Sequence, residues 1–150
     1  MIPELRTAIV TIGKTITGLS NRFYWLEAPR DTEYPYAVLS TYGNPQSRDT
    51  ATKFEEVYIN ISYYDKSAAG VETIAASGRS KFDDSESSFL LIENKVDRIE
   101  RLNSRDGKID KVFMISDQYK IELTKGNSEI YLFTADDNFF VTSADEYILV

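Results

Sequence analysis

The sequence predicts an α+β fold in which a mixed or antiparallel β-sheet packs against two α-helices, followed by a C-terminal β-hairpin appendage. Two segments repeat apolar residues at the spacing of an amphipathic helix, several others alternate polar and apolar residues, and Gly-, Asn- and Asp-containing turns separate the later strands. A chain of 150 residues has the size of one domain. We therefore expect a single domain over residues 1–150, with its core in 3–124 and the appendage in 127–150.

The first helix is predicted over residues 3–18. Proline is tolerated in the first turn of a helix, where Pro3 stands, and Gly18 lies near the expected end. Apolar residues recur every three or four positions: Leu5, Ala8, Ile9, Ile12, Ile16 and Leu19. This face is narrow and the rest of the helix is polar, which indicates a helix lying on a sheet.

A loop, a strand and a polar connection are predicted next. Residues 21–35 have an irregular pattern interrupted by Pro29 and Pro35, so we expect a loop with a short apolar anchor. Residues 36–42 read as a strand, which Gly43, Asn44 and Pro45 end. The polar segment 45–53 is expected to be a surface connection of the kind that orders on binding a partner.

The clearest strand prediction covers residues 54–64, and a second helix follows it. One face of the strand is apolar and is expected to enter the core: Val57, Ile59, Ile61 and Tyr63. Asp65 or Ser67 is expected to cap the helix. Its inner stripe is rich in small residues, which permits close approach to the sheet: Val71, Ile74, Ala75, Gly78 and Phe82.

Beyond residue 89 the pattern is β-rich. We predict a strand over 95–104, a hairpin turn at Asp106-Gly107, and a strand from 109 to 116 that continues from 118 to 124. Short strands are expected at 129–134, 139–142 and 147–150, separated by turns at 126–127 and 136–138. These last strands form the predicted appendage.

The composition narrows the classes of function. The chain has no cysteine and no histidine, which removes thiol chemistry, His-containing triads and the usual zinc sites. We therefore predict that the protein is not an enzyme and needs no cofactor or metal. The acidic cluster at 83–86 lacks the ligand spacing of a calcium loop and is read as a solvated turn.

Charge and hydropathy bear on partners. The formal net charge of −7 and the scattered lysines and arginines argue against a protein that binds nucleic acid by neutralising phosphates. No apolar run reaches the roughly 20 residues of a membrane helix, and the N-terminus lacks the pattern of a secretion signal. We expect a soluble intracellular protein. Its ten tyrosines and eight phenylalanines suit a sheet core and, for some of them, a protein interface.

The order of these segments resembles the tail-completion and tail-terminator proteins of long-tailed bacteriophages. The likeness spans about residues 3–124. It rests on the first helix, the strand Tyr34-Pro35-Tyr36-Ala37-Val38, the strand from Val57 that ends in Tyr63-Tyr64-Asp65, the helix from Ser67 to Phe82, and the strand pair closing at Ile121-Glu122-Leu123. Residues 127–150 depart from the family pattern.

The resemblance implies a structural virion protein, assembled in the host bacterial cytoplasm and located in the tail or neck. Known members of the family that the chain resembles form a hexameric ring, which caps the tail tube and meets the head connector. The implied partners are other copies of the chain, the tail tube protein and the connector or stopper protein. DNA would pass through the channel without specific binding, and an acidic surface suits this because like charges repel phosphate.

Two segments are candidates for contact with other subunits or with the connector. The polar loop 46–53 contributes Arg48, Asp49 and Lys53. The predicted turn at 103–108 contributes Arg105, Asp106 and Lys108. Two alternatives remain open: a head-closure or adaptor ring of the neck, and a carboxylate-based enzyme or ligand-binding module with a deep acidic pocket.

Overall fold

The computed structural model describes residues 3–42, 54–83 and 96–124, together with the backbone of 131–132, 139–141 and 147–149. The first part of the chain forms α1 (Pro3–Lys14), β1 (Phe23–Trp25), β2 (Tyr36–Thr41), β3 (Phe54–Asp65) and α2 (Ala68–Phe82). The second part forms β4 (Val96–Ile109), β5 (Val112–Thr124), β6 (Tyr131–Leu132), β7 (Phe139–Val141) and β8 (Tyr147–Leu149).

The main sheet has five strands in the order β1-β2-β3-β5-β4. β1 pairs with β2 in parallel, and every other pair in this sheet is antiparallel. The predicted α+β class, with a mixed sheet and two helices, is confirmed. The C-terminal strands form a second antiparallel sheet in the order β6-β7-β8, so the β appendage has three strands.

The core lies between the helices and one face of the main sheet. The inward residues of β3 are buried as predicted, with Ile61 and Tyr63 fully inaccessible. All five residues of the predicted α2 stripe are buried. Gly78 is needed there, because a β-carbon at this position would lie 2.6 Å from Cζ of Tyr63. The small stripe residue therefore sets how closely α2 approaches β3.

The start of α2 decides between the two predicted caps. Ser67 is the N-cap, with extended backbone and its Oγ accepting a hydrogen bond from the backbone N–H of Gly70 at 3.2 Å. The Asp65 carboxylate instead accepts from the backbone N–H of Lys66 at 2.6 Å. Strand β3 thus runs through Asp65 before the helix begins.

Helix α1 is shorter than predicted, ending at Lys14 and not at residue 18. The chain continues in tighter turns, in which the N–H groups of Thr15 and Ile16 bond to carbonyls three residues back. Consecutive β-branched side chains at 15–17 disfavour continued α-helix. The tighter turns still bury Ile16 and Leu19, which explains why the apolar spacing suggested a longer helix.

The predicted loop at 21–35 contains strand β1, which the sequence reading missed. Its three residues pair with Ala37, Val38 and Leu39 of β2. Phe23 is buried, and its ring occupies the space where Gly13 of α1 has no side chain. The strand depends on these distant contacts, whereas the surrounding prolines give a local pattern typical of a loop.

The predicted turn at Asp106-Gly107 is wrong. Both residues lie in β4, opposite Ile115 and Met114 of β5. The hairpin turns instead at Asp110, which adopts a left-handed φ of 55° that aspartate tolerates. β5 is continuous from 112 to 124, and β4 remains paired along it, so the ladder extends past the first available turn sequence.

Candidate interaction surface

Three of the predicted contact residues lie on β4, the outer strand of the main sheet at one edge. Arg105, Asp106 and Lys108 are all exposed, and the Lys108 Nζ lies 4.8 Å from the centre of the Phe113 ring. The other three, Arg48, Asp49 and Lys53, lie outside the described residues. The structure therefore brings one predicted group together on an accessible strand.

A buried ion pair fixes β4 and β5 to helix α2. Asp117 of β5 points into the core and is fully inaccessible, an unusual place for a carboxylate. Arg79 of α2 meets it with two parallel hydrogen bonds, Nε to Oδ2 and Nη2 to Oδ1, each 2.9 Å. The same Nη2 donates to Oγ of Ser104 on β4 at 2.8 Å. One guanidinium thus ties a helix to two neighbouring strands.

A second ion pair joins the end of α2 to the same strand. Arg101 of β4 lies 3.1 Å from the Asp83 carboxylate, and both side chains are about one-third exposed. A groove of about 590 Å³ runs beside this pair, lined by Asp83 and by β4 residues 98–104. Strand β4 is therefore held to α2 and β5 by side chains on its inner face, while the side chains on its outer face remain accessible.

Two tyrosines beside the buried ion pair stay protonated far into the alkaline range. Burial raises the pKa of Tyr63 well above its ordinary value of 10, and the neighbouring Tyr119 and Asp117 add to the effect. Burial also raises the pKa of Tyr119, with the Asp83 and Asp117 carboxylates contributing further. Ionising either ring would place a second negative charge in the core, so both serve as neutral packing groups.

The sheet face turned away from the helices is polar in its centre. Oγ of Ser116 donates to Oδ1 of Asn60 at 2.8 Å, the Asn60 amide donates to Ser62, and the two serine hydroxyls are 3.0 Å apart. Toward one end, Tyr36 and Tyr64 stack with their centroids 4.9 Å apart. The central polar groups therefore satisfy one another across β3 and β5.

The opposite edge of the sheet carries an ordered loop that follows β1. Leu26 has a left-handed φ of 67° and remains 59% exposed. Its backbone N–H bonds to the carbonyl of Leu39 at 2.8 Å, which holds it in this conformation. Arg22 fixes the other end of the loop, donating to the Pro35 carbonyl at 2.9 Å and pairing with Glu33 at 3.3 Å.

A groove of about 490 Å³ lies under this loop. Its described lining combines loop residues with side chains of β2 and β3: Leu26, Glu27, Ala28, Pro29, Asp31, Thr32, Tyr34, Tyr36, Val38 and Tyr64. Lys66 extends over the Tyr34 ring at 5.5 Å. The loop therefore presents an apolar and aromatic surface that is bordered by acidic side chains and by Lys66.

Exposed large apolar side chains are found at both edges of the sheet. Among the residues whose burial is described, they are Leu26 beside β1 and Leu102 and Ile109 on β4, which are 46% and 62% exposed. β1 and β4 are the two outer strands of the main sheet. Among the described residues, these apolar side chains thus lie at opposite edges of the main sheet.

The described parts of the chain contain neither a metal-binding cluster nor a membrane-spanning helix. Within 3–42, 54–83 and 96–124, no group of three His, Cys, Asp or Glu residues is placed to hold a metal ion. No helix described here has the length and apolar character needed to cross a membrane. The buried carboxylate of Asp117 is fully engaged by Arg79, which makes it a structural group.

Sequence reasoning missed three residues that shape this surface. Asp117 occupies an inward position in the alternating pattern of β5, between Ile115 and Tyr119, and an acid at such a position indicates a buried partner. Arg79 follows Gly78 at the border of the α2 stripe, a position from which a base can pair with a buried acid. Leu26 carries no local signal, since only the folded backbone reveals its left-handed conformation.

Comparison with known proteins gives a likeness of fold. No protein-family model and no curated protein matches the chain. Among solved structures, the chain is similar to a protein of the virion of the native gene transfer agent particle, with a TM-score of 0.57 and 12% sequence identity. The match covers 81% of this chain and 90% of that one. The two chains therefore share a fold over most of their lengths.

Proposed function

We propose that this protein is a structural subunit of a phage-type virion, and that it forms a ring which ends the tail tube and joins it to the head connector. The ring is hexameric, as in the family that the sequence resembles. Its partners are other copies of the chain, the tail tube protein and the connector or stopper protein. DNA passes through the central channel without specific binding, and the protein resides in the tail or neck of the virion.

The fold likeness to a virion protein carries this proposal. It extends over most of both chains, so it concerns the whole architecture and not one common motif. Two of the segments on which the sequence resemblance rests also form as predicted, the strand after Pro35 and the helix that follows Ser67. The formal net charge of −7 suits a channel that DNA must traverse freely.

Electron microscopy and native mass spectrometry of the purified protein test the proposal. We expect closed rings with a channel wide enough for duplex DNA and a single dominant mass of six subunits. Incubation with purified tail tubes should place one ring at one end of each tube. A chain that stays monomeric at the highest attainable concentration, with tubes present, would contradict the proposal.

A head-closure or adaptor ring of the neck is the second candidate. It would use the same fold and also form a ring, so the two differ in which protein each ring face meets. Co-purification separates them, because a terminator ring binds tail tube protein in the absence of portal. Binding to portal alone would favour the adaptor.

The polar loop at 46–53 remains a proposed contact with other subunits or the connector. Replacing Arg48, Asp49 and Lys53 together with alanine should leave the fold unchanged and weaken assembly. Far-UV circular dichroism checks the fold, and the ring fraction in native mass spectrometry checks assembly. An unchanged ring fraction combined with unchanged binding to the connector removes this loop from the contact surface.

A further inference from the structure

We propose that the ring closes edge to edge, with the β4 edge of one copy packing on the loop edge of the next. The β4 edge comprises residues 102–111, and the loop edge comprises residues 26–34. This inference rests on the proposed ring and specifies which surfaces form it. The partner at each edge is a second copy of this chain.

The positions of the two edges favour a head-to-tail contact. A ring of identical subunits needs two different surfaces on each subunit, one for each neighbour. The exposed large apolar side chains found in the described residues lie at opposite edges of one sheet, Leu26 just after β1 at one edge and Leu102 and Ile109 on β4 at the other. This is the arrangement that head-to-tail closure requires.

The charges of the two edges differ. The loop edge has three acids, Glu27, Asp31 and Glu33, and one base, Arg30, which gives a formal net charge of −2. Glu33 pairs with Arg22, and Lys66 extends over the Tyr34 ring, so the loop edge and the bases around it are close to neutral. The β4 edge has three bases and two acids, a net charge of +1: Arg105, Asp106, Lys108, Asp110 and Lys111. A contact between two β4 edges would bring like charges together, whereas the near-neutral loop edge, with Glu27 and Asp31 beside Leu26, carries no such repulsion.

Internal hydrogen bonds hold the loop edge in one conformation without a partner. Leu26 sits in left-handed backbone that a leucine rarely adopts, and the hydrogen bond to Leu39 holds it there. Further bonds stiffen the loop, including Thr32 Oγ1 to the Pro29 carbonyl at 2.6 Å. An ordered loop loses little conformational freedom on binding, so an exposed leucine held in place makes an effective anchor.

A mixing experiment tests the inference. Leu26→Asp damages only the loop edge, and Ile109→Asp damages only the β4 edge. Ala76→Asp is the matched control, because it makes the same charge change on the exposed surface of α2, over the middle of the sheet. Removing an apolar anchor of this kind is expected to weaken each contact about 30-fold, so each edge variant should be monomeric where the wild type forms rings.

The equimolar mixture of the two edge variants gives the decisive result. Each variant retains one intact edge, and the two intact edges are complementary, so we expect a 1:1 dimer in native mass spectrometry and no ring. The control variant should form rings like the wild type. Asparagine replaces aspartate at either position if the aspartate variant loses its far-UV circular dichroism signal.

The possible outcomes separate this inference from the proposed function. Rings formed by either edge variant, or a mixture that remains monomeric, would overturn the edge-to-edge contact while leaving the ring intact as a proposal. Loss of rings in the Ala76→Asp control would also overturn it, since assembly would then respond to charge at any site. A wild-type chain that forms no ring overturns both.

Discussion

Replacing Arg79 with methionine should destabilise the protein strongly at neutral pH. The change leaves the Asp117 carboxylate fully buried with neither of its two 2.9 Å hydrogen bonds to the guanidinium. Removing one partner of a buried ion pair costs about 3–5 kcal/mol, because the remaining charge has no compensation. A domain of this size has a total stability of about 5–15 kcal/mol, so the loss is a large fraction of it.

The reverse substitution, Asp117→Leu, should cost much less. The Arg79 side chain is 30% exposed, so its guanidinium can turn toward water while it still donates to Ser104. Leucine also suits the apolar surroundings of the buried position. We expect a cost below about 1.5 kcal/mol for this variant and near-wild-type stability for the double variant Arg79→Met, Asp117→Leu.

Urea unfolding at pH 7, followed by circular dichroism, measures these differences in the free energy of unfolding. Arg98→Met is the matched control, because Arg98 pairs with Glu100 at 3.7 Å on the surface and should contribute at most about 0.5 kcal/mol. Hydrogen exchange adds a second readout, since loss of the bond to Ser104 should reduce protection in β4. Equal costs for the two single variants, or a cost below about 1 kcal/mol for Arg79→Met, would refute the reasoning.

Three further predictions concern pH, core packing and the N-cap of α2. Tyr63 and Tyr119 ionise near pH 10 in the unfolded chain but stay protonated in the folded chain, where their pKa values are raised. Above pH 10, each tyrosine should therefore lower the free energy of unfolding by up to about 1.4 kcal/mol per pH unit. The double Phe variant should flatten this slope in urea titrations at pH 10–11.5, and an unchanged slope would contradict the assignment. Gly78→Ala places a β-carbon 2.6 Å from the Tyr63 Cζ and should cost about 1–3 kcal/mol by thermal unfolding; a neutral effect would show that α2 shifts freely. Ser67→Ala removes the 3.2 Å acceptor for the Gly70 N–H and should cost about 1 kcal/mol, whereas Ser67→Asp should retain most of it.

Local periodicity in the sequence was sufficient to predict most of the core. The alternation in β3 and the α2 stripe each depend on residues close together in the chain, and both faces are buried as predicted. The prediction failed where distant residues decide the structure. β1 exists because β2 supplies a parallel partner, and the hairpin passes Asp106-Gly107 because β5 continues to pair beyond it.

The candidate surface was predictable only in part, because contacts between residues distant in the chain decide which side chains are exposed there. The sequence predicts Arg105, Asp106 and Lys108 in an exposed turn, and the structure places them on a strand, where they are exposed. The loop edge could not be predicted from the sequence, because the exposure and the left-handed backbone of Leu26 are properties of the folded loop. The contact roles of these residues, and of the loop at 46–53, stay predictions.

The bidentate ion pair between Arg79 and Asp117 suits the proposed role in assembly better than an apolar pair of equal stability would. Apolar side chains pack with little directional preference, whereas a planar guanidinium fixes the angle and register of the groups it binds. Here those groups lie on β5 and β4, and the bond to Ser104 stands midway along the strand whose exposed side chains form one proposed contact. In a closed ring, a small rotation at each interface accumulates over every subunit, so a contact strand must be held at a definite angle to the core. The ion pair supplies that constraint from inside the domain, which leaves the outer side chains of β4 available for the proposed contact with a neighbouring copy.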